Sequence, residues 1–546
     1  MPLRVAVFLA LAVLTATGFL VFPGHTWLQS DTQIYVPILE RLHDPRLFER
    51  EIIAQQPHVS YTLYDETAVW LRWITGQPFE TVLAAQQIAF RFCGLLGAYL
   101  IASSLGLSWA GSLLVAACYG LGATINGPSV LTIEYEPVPR GSALGLTLLA
   151  AGLIARERYL WAGVAAGGAL LYHVPAVYPF WAGFLVLLLR SKPGERRSRL
   201  RILAPVAAAA LVLFLCAKLQ HGVGERQAFF TTLDAEQARV MRERASYNWI
   251  SLWAAHQAEQ HLLYWLIAAG AMWRLRRRIP ASLIWLMGGA MTAGLLSMPA
   301  SYLLLEKAQW SLMPQLQPMR ALLYITLAMV IFGSAAAVAA AERGRWWESA
   351  LWLLPVFGVS VQTRTVWSLL DGSLRAATLT ALGLAVAVAL LLEAARRRPQ
   401  AGRVALVAAA FSLAWLVPGF SGVRNYPPLH HAELDDVARW ARENTPIDAV
   451  FLFPQAGRTL PPGVFRAKSL RALYADWKGG GQINFLREFL PLWRPRWEAT
   501  LVRPFAGAAD LVRFHSLGIT HVITEKPVSG RAPVFANSRY HVYTTR

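Results

Sequence analysis

The feature that most constrains this chain is a succession of apolar stretches separated by short polar connections. The stretches are about 17 to 25 residues long, which as a helix matches the hydrocarbon thickness of a bilayer. Inside a bilayer the backbone must satisfy its own hydrogen bonds, so such stretches require a helical bundle. Only 15% of the 546 residues are charged, against about 25% in soluble domains. We therefore predict a mainly α polytopic membrane protein.

The formal net charge of +19 does not indicate a nucleic-acid partner. Lys and Arg cluster in the short connections between apolar stretches, where they set membrane orientation. Cys93, Cys118 and Cys216 all lie inside apolar stretches. This placement speaks against a disulfide framework and against a zinc site with cysteine ligands.

Five basic connections fix the predicted topology, because cytoplasmic loops are enriched in Lys and Arg. They contain Arg156 and Arg158, residues 190–201, residues 274–278, Arg343 and Arg345, and residues 396–403. An even number of spans must separate each neighbouring pair. The long apolar stretch between Arg158 and Arg190 therefore counts as two short helices that meet near His173.

This reading predicts about thirteen spans. They lie near 4–22, 83–105, 107–125, 141–155, 160–172, 174–189, 202–219, 260–273, 281–304, 320–341, 347–361, 374–392 and 404–420. The first is interpreted as an uncleaved helix rather than a signal peptide, because its apolar run is long and lacks an A-x-A site. With a cytoplasmic N-terminus, the odd number places the C-terminus outside a bacterial inner membrane.

Every sizeable polar segment then faces the extracytoplasmic side. The predicted domains are a transmembrane domain over 1–420, with its outer loops, and an extracytoplasmic α/β domain over 421–546. The outer loops are 23–82, 126–140, 220–259 and 305–319. No P-loop or G-x-G-x-x-G motif occurs in the sequence, so we expect neither ATP-driven transport nor a soluble nucleotide-sugar donor.

The tail has the alternating pattern of a small α/β domain. Helical spacing is found at 435–444, 485–489 and 511–515, and strand-like runs are found at 448–453, 520–524 and 541–544. The outer loop 220–259 also has amphipathic helical spacing. These patterns predict short elements outside the membrane.

Asp31 is the first candidate site residue, because it follows the first predicted span by only a few positions. A carboxylate there can act as a general base or as a metal ligand toward a lipid-anchored substrate. It can equally be a solvated loop carboxylate.

Glu134 and Glu136 are two further candidates in the second outer loop. At positions i and i+2 of a regular strand, both carboxylates would point to the same side. They are candidate catalytic groups, and with Asp31 they suit a hard divalent cation such as Mg²⁺ or Mn²⁺. The predicted metal ligands are Asp31 and Glu136. The alternative is an ion pair with Arg140 at the membrane surface.

His173 and Arg320 are candidate substrate-binding residues at the outer ends of spans. A polar group at a helix break tends to line a cavity, although it can also simply cap the helix. An arginine at a span start can bind phosphate through two hydrogen bonds or anchor the helix in the interface.

The tail residues Arg466, Arg471 and Lys478, with Asp476 and Trp477, could form a basic and aromatic lip that binds sugar. Aromatic faces and charged hydrogen-bonding groups suit sugars and phosphates. The alternative is ordinary packing within the domain.

The order of these features resembles the GT-C superfamily of membrane glycosyltransferases, in particular its uncharacterised bacterial branch. The stretch SDTQIYVPILERLHDPRLFERE is similar to the first outer loop of that branch, and FRAKSLRALYADWK is similar to its tail. The resemblance implies Asp31 as catalytic base or metal-site member, and a polyprenyl-phosphate sugar as donor. The chain departs from the family in having His173-Val174 where relatives often have His-Pro, and Glu134-Tyr135-Glu136 in place of D-x-D.

Three hypotheses follow. The first is a glycosyltransferase that moves a sugar from a polyprenyl-phosphate donor to a lipid, glycan or protein acceptor outside the membrane. The second is a transporter or flippase for a lipid-linked glycan, although no internal repeat supports it. The third is a non-catalytic envelope assembly protein whose tail recruits partners.

Overall fold

The computed structural model describes residues 3–55, 62–219, 230–361, 376–421 and 430–546. These residues form two compact units. The helical unit comprises residues 1–25, 84–214 and 247–425, and the mixed unit comprises residues 26–83, 215–246 and 426–546. Parts of the predicted outer loops 23–82 and 220–259, part of the connection between the eleventh and twelfth spans, and the first residues of the predicted tail domain lie outside the described residues.

Each of the thirteen predicted spans coincides with an α-helix. Their bounds are Leu3–Leu20, Phe79–Ser104, Trp109–Gly120, Pro139–Ala155, Tyr159–Tyr172, Val174–Leu189, Leu203–Leu219, Ala255–Arg274, Ala281–Ser301, Leu323–Ala341, Trp346–Val361, Ala376–Arg397 and Pro399–Ser421. Among the described residues, seven helices are long and apolar enough to cross a membrane, and four more are apolar but shorter. The predicted multi-pass helical architecture is confirmed.

Close helix packing builds the interior of the helical unit. The helix Leu323–Ala341 has every residue buried, as expected for a helix surrounded by others. Elsewhere small residues let backbones approach, since a Cβ on Gly289 would lie 2.8 Å from Cα of Gly183. Small residues at such crossings are typical of helices that associate in membranes.

The predicted break at His173 is confirmed. The helices Tyr159–Tyr172 and Val174–Leu189 meet there, and the second has Pro175 in its first turn, where a missing N–H costs nothing. Around the predicted outer loop 305–319, a π-helical turn at Tyr302–Lys307 is followed by the short helices Met313–Leu316 and Pro318–Leu322.

The mixed unit contains a five-stranded sheet. Its strand order is Ala472–Leu473, Val450–Leu452, His521–Thr524, His541–Thr544 and Phe535–Ala536. The first three strands are parallel, and the last two add antiparallel neighbours. The predicted strands at 448–453, 520–524 and 541–544 are confirmed in place, although the first is shorter than predicted.

Four helices of the tail accompany the sheet, with bounds Ala432–Asn444, Pro461–Ser469, Phe489–Thr500 and Ala508–Ser516. The helices predicted at 435–444 and 511–515 are confirmed. The helical piece predicted at 485–489 is wrong, because the α-helix begins only at Phe489 and a 3₁₀ turn occupies Gly479–Asn484. The consecutive glycines at 479–481 disfavour an α-helix in the 3₁₀ turn, and Pro491 fits the first turn of the α-helix that begins at Phe489.

Segments far from the tail in sequence complete the mixed unit. They contribute the helices Thr32–His43, Tyr64–Thr75 and Ala235–Arg244, the last of which accounts for the amphipathic spacing in 220–259. Leu28 and Val36 share one apolar core with Phe451 and Phe465. The predicted first outer loop, here called the first outer segment, and the tail therefore belong to one compact unit.

Candidate functional site

Asp31 and Lys478 form an ion pair in the mixed unit, although 447 positions of the sequence separate them. Asp31 directly precedes the helix Thr32–His43, and Lys478 directly precedes the turn Gly479–Asn484. The Lys478 ammonium donates to Asp31 Oδ1 and to Ser30 Oγ, each over 2.7 Å. The Asp31 side chain is 22% exposed and that of Lys478 is 19% exposed. A carboxylate and an ammonium, both reachable from solvent, are thus held together.

A buried charge cluster supports this pair. Arg466 has no exposed surface, and its guanidinium donates to Asp476 Oδ1 over 2.7 Å and to the Gln33 carbonyl over 2.9 Å. Asp476 in turn accepts from the backbone N–H of Gly479 over 3.0 Å. Arg466 thereby links the helix that follows Asp31 to the turn that follows Lys478. We infer that it positions the two partners.

Glu51 is the third member of the buried cluster. Its carboxylate lies 3.8 Å from the Arg466 guanidinium and accepts from the backbone N–H of Leu473 over 2.8 Å. Burial raises the pKa of the Glu51 carboxyl, and the nearby arginine opposes that shift. The cluster joins residues of the first outer segment to two parts of the tail.

An aromatic and cationic cluster adjoins Lys478. Trp477 packs against Trp493 and Trp497, with ring centroids 6.3 and 5.2 Å away. The guanidinium carbons of Arg244 and Arg458 lie 3.6 and 4.3 Å from the Trp477 ring centroid. Such cation–π contacts hold the indole in place. Arg244 comes from the segment before residue 247, and the sequence carried no signal that this segment meets the tail.

Glu134 belongs to the helical unit and makes a local ion pair there. Arg140 Nε donates to Glu134 Oε1 over 2.6 Å, and the two side chains are 17% and 5% exposed. The Glu134 carbonyl accepts from the side chains of Gln87 and Arg91 over 2.8 and 2.7 Å. The ion pair that the sequence left as an alternative reading is present.

The condition under which both carboxylates would point to the same side, a regular strand at Glu134 and Glu136, is not met. A short hairpin pairs Thr124–Ile125 with Val130–Leu131, and irregular bends follow it. The N–H of Val138 donates to the Glu136 carbonyl over 2.9 Å, which closes a three-residue turn. Pro137 and Pro139 lack the N–H groups that a strand ladder needs. Glu136 is buried, and its predicted meeting with Asp31 stays a prediction.

His173 and Arg320 lie at two helix starts that the structure brings together. His173 Nδ1 accepts from the backbone N–H of Ala176 over 3.0 Å, so this side chain caps its helix. Arg320 lies in the turn that leads into Leu323–Ala341. Tyr324 donates to the Ala176 carbonyl over 2.8 Å, and Tyr178 donates to the Pro318 carbonyl. The predicted substrate contacts of both residues stay predictions.

Arg466 and Arg471 have contacts inside the mixed unit. Arg471 Nη2 donates to the carbonyls of Arg442 and Thr445 over 2.7 and 2.8 Å, which satisfies the C-terminal end of the helix Ala432–Asn444. Arg466 is fully buried, as described above. Their observed contacts are those of packing, and a direct role in sugar binding stays a prediction.

The described residues contain no group of three or more His, Cys, Asp or Glu that could hold a metal ion. Lys478 already supplies the positive charge next to Asp31. Hard cations such as Mg²⁺ are usually held by several oxygen ligands. The residues described around Asp31 therefore do not fit a cation site.

Comparison with known proteins identifies the fold. A family described as a domain of unknown function (DUF6798) matches residues 432–500. No curated protein matches the sequence. Among solved structures, ArnT from Cupriavidus metallidurans bound to undecaprenyl phosphate is 13% identical with a TM-score of 0.50, over 100% of this chain and 98% of that one.

Two other solved structures are similar at lower TM-scores. ArnT in the apo state is 13% identical with a TM-score of 0.47, over 100% of this chain and 98% of that one. The mycobacterial arabinofuranosyltransferase AftD, as the mutant R1389S, is 17% identical with a TM-score of 0.44, over 98% of this chain and 37% of that one. The apolar helices and the match to ArnT bound to undecaprenyl phosphate, at a TM-score of 0.50, define the class as a multi-pass membrane protein with a GT-C-like fold.

Proposed function

We propose that this chain is a membrane glycosyltransferase that moves a sugar from a polyprenyl-phosphate donor to an acceptor on the extracytoplasmic side of a bacterial inner membrane. The observation that carries the proposal is the partly exposed Asp31–Lys478 pair on its buried support. The GT-C-like fold supports the reaction class. The undecaprenyl phosphate bound to ArnT supports a polyprenyl-phosphate carrier for the donor sugar.

In the proposed reaction the acceptor hydroxyl oxygen attacks the anomeric carbon of the donor sugar and forms the new glycosidic bond. The bond from that carbon to the phosphate oxygen breaks, and polyprenyl phosphate leaves with the electron pair. Asp31 takes the proton of the hydroxyl, which is the work of a general base. The reaction is a substitution at the anomeric carbon, and no atom changes its oxidation state.

Lys478 has two roles in the proposed reaction. Its charge-assisted hydrogen bond orients the Asp31 carboxylate before the reaction. An ammonium has three donors, and Ser30 and Asp31 take two of those of Lys478. In the proposed reaction the third donor would stabilise a phosphate oxygen of the leaving group. Arg466 and Asp476 are positioning residues for both partners.

The remaining predicted residues have proposed roles in both units. Arg320 would bind the donor phosphate at the membrane boundary, and His173 would line the donor cavity. Glu134 and Glu136 would be further carboxylates near the acceptor, and the tail residues Arg466 and Arg471 would shape its access. The scheme has no step through a divalent cation, because Asp31 is already paired with Lys478.

The test is transfer of a labelled sugar from polyprenyl phosphate by the purified full chain, together with glycan analysis of a deletion strain complemented by each variant. Asp31→Asn should lower the transfer rate at least about 100-fold, since general bases contribute roughly 10²–10⁴. Asp44→Asn is the matched control, because Asp44 lies in the same outer segment and pairs only with its neighbour Arg46 in the described part of the chain. It should transfer at nearly the wild-type rate.

Wild-type transfer by Asp31→Asn, or unchanged envelope glycans in the deletion strain, would contradict the proposal. Movement of labelled lipid-linked sugar across proteoliposomes without a new glycosidic bond would instead favour a transporter. Normal glycans in strains carrying Asp31→Asn, with loss of a protein bound to the tail, would favour an assembly role.

A further inference from the structure

A cavity of about 310 Å³ with a mixed polar and apolar lining lies in the mixed unit, and its lining does not include Asp31 or Lys478. It is partly open to solvent, and residues from five stretches of the chain line it. Its lining includes Arg50 and Gln55 from the first outer segment, Tyr474 and Arg496 from the tail, and Gly518 at a turn. Its volume is at the lower end of the range for small-molecule sites, about 300–1,000 Å³, which suits one hexose unit.

The two arginines give the cavity an unbalanced positive charge. In the described part of the chain, Arg50 donates one side-chain hydrogen bond, to the Gly518 carbonyl over 3.2 Å. Arg496 likewise donates one, to the Tyr474 carbonyl over 3.4 Å. Neither forms a salt bridge with a described carboxylate, although the exposed Glu49 also lines the cavity. Each guanidinium therefore keeps several of its five N–H donors for a ligand.

An aromatic ring lies beside this charge. The Arg496 guanidinium carbon is 4.9 Å from the Tyr474 ring centroid, which fixes both groups on one wall. Guanidinium groups bind carboxylate and phosphate in a bidentate manner, and an aromatic wall offers an apolar face to the C–H surface of a sugar ring. The arginines and the tyrosine together suit a ligand that carries both an anionic group and a sugar ring.

One loop connects the cavity to the proposed reaction site. Ile52 lines the cavity, and the adjacent Ile53 packs so closely on Gly479 that a Cβ there would clash with it. Gly479 directly follows Lys478. Glu51, on the other side of Ile52, belongs to the buried cluster with Arg466. A ligand in the cavity would therefore contact the same loop that supports the Asp31–Lys478 pair.

We propose that this cavity binds an anionic hexose, a sugar that carries a carboxylate or a phosphate, and that this sugar is part of the acceptor. The binding claim stands on the cavity alone, whereas the assignment to the acceptor rests on the proposed transferase function. Arg50 and Arg496 hold the anion, and Tyr474 packs against the ring.

Isothermal titration of the purified full chain tests the binding claim, with glucuronic acid, glucose 6-phosphate, glucose and inorganic phosphate as probes. At least one anionic sugar should bind about tenfold or more tightly than both glucose and inorganic phosphate. Arg50→Gln and Arg496→Gln should each weaken that binding about tenfold. Arg531→Gln, an exposed arginine of the same unit outside the cavity lining, should bind as the wild type does.

Three outcomes would overturn the proposal. In the first, glucose binds as tightly as the anionic sugars, and in the second, inorganic phosphate does. In the third, both cavity variants bind the anionic sugar as the wild type does while their tryptophan fluorescence shows a native fold. Asp31→Asn separates this claim from the transferase proposal, because it should lose transfer and keep probe binding. In transfer assays, Arg50→Gln should raise the acceptor KM and leave kcat nearly unchanged.

Discussion

The helical unit has an apolar interior at its centre, whereas the mixed unit buries charged groups at its centre. In the helical unit the helix Leu323–Ala341 is buried along its whole length and carries no charged residue. In the mixed unit Arg466, Asp476 and Glu51 are buried side by side. The first arrangement depends on close apolar packing. The second depends on buried charged groups that neutralise and hydrogen-bond one another.

The two units also differ in the longest sequence distance that their ion pairs span in the described residues. In the helical unit, Glu134 and Arg140 are six positions apart, and Arg274 and Glu348 are 74 apart. In the mixed unit, Asp31 and Lys478 are 447 positions apart. A short pair can form from local sequence alone, whereas a long one exists only after distant segments have folded together. The stability of the mixed unit should therefore depend strongly on single buried charges.

The largest expected effect is that of Arg466→Met. It leaves the carboxylates of Glu51 and Asp476 buried without their cation, which costs about 3–5 kcal/mol when one member of a buried pair is removed. Thermal unfolding of the full chain, followed by tryptophan fluorescence, should show a clearly lower Tm. Trp493 reports on this site because its indole N–H donates to the Asp476 carbonyl over 2.9 Å.

Arg531→Met is the matched control for that change, because Arg531 is exposed on the same unit. Its effect should stay within about 0.5 kcal/mol. Equal Tm values for Arg466→Met and the wild type would mean that the mixed unit does not depend on its buried charges.

The stability of the helical unit should instead depend on the side-chain volume at its helix crossings. In Gly289→Val the added side chain would meet the backbone of Gly183 and the side chain of Val186, and overpacking of this kind costs about 1–3 kcal/mol. The neighbouring Gly288→Val is the control, because a Cβ at Gly288 has no described atom within 4 Å. Yield and Tm in detergent should fall for the first variant and stay near wild type for the second. Equal behaviour of the two would contradict this packing.

The last expected effect is a pH dependence in the mixed unit, which is similar in size to that of the glycine change but is present only at acidic pH. Burial lowers the pKa of His521 to about 4, and its ring stacks on Phe451 with centroids 4.7 Å apart. The unfolded chain takes up the proton near pH 6.5, before the folded chain does. The stabilising contribution is therefore complete above pH 6.5 and is lost as the pH falls from 6.5 to 4. After allowance for partial solvent exposure it is about 2 kcal/mol.

His521→Phe should remove that part of the acid sensitivity. The measurement is the difference in Tm between pH 7 and pH 4.5, which should be smaller for the variant than for the wild type. His515→Gln, an exposed histidine on the helix Ala508–Ser516, should keep the wild-type difference. An unchanged difference in His521→Phe would show that other groups control the acid response.

The sequence by itself determined the membrane architecture. Apolar length and basic connections predicted all thirteen helices and the break at His173, because a membrane span is a local property of about 20 consecutive residues. The strands at 448–453, 520–524 and 541–544 were likewise predictable from local pattern. The individual residues Asp31 and Lys478 were predicted as candidates from their residue type and position.

Only the tertiary structure decided how the mixed unit is assembled. It joined Asp31 to Lys478, enclosed Arg466 with Glu51, and brought the helix Ala235–Arg244 to the tail. It also showed irregular bends, and not a regular strand, around Glu134 and Glu136. The physical reason is that periodicity records which face of a segment is buried, whereas the partner across that face depends on how distant segments pack and how their buried charges are satisfied.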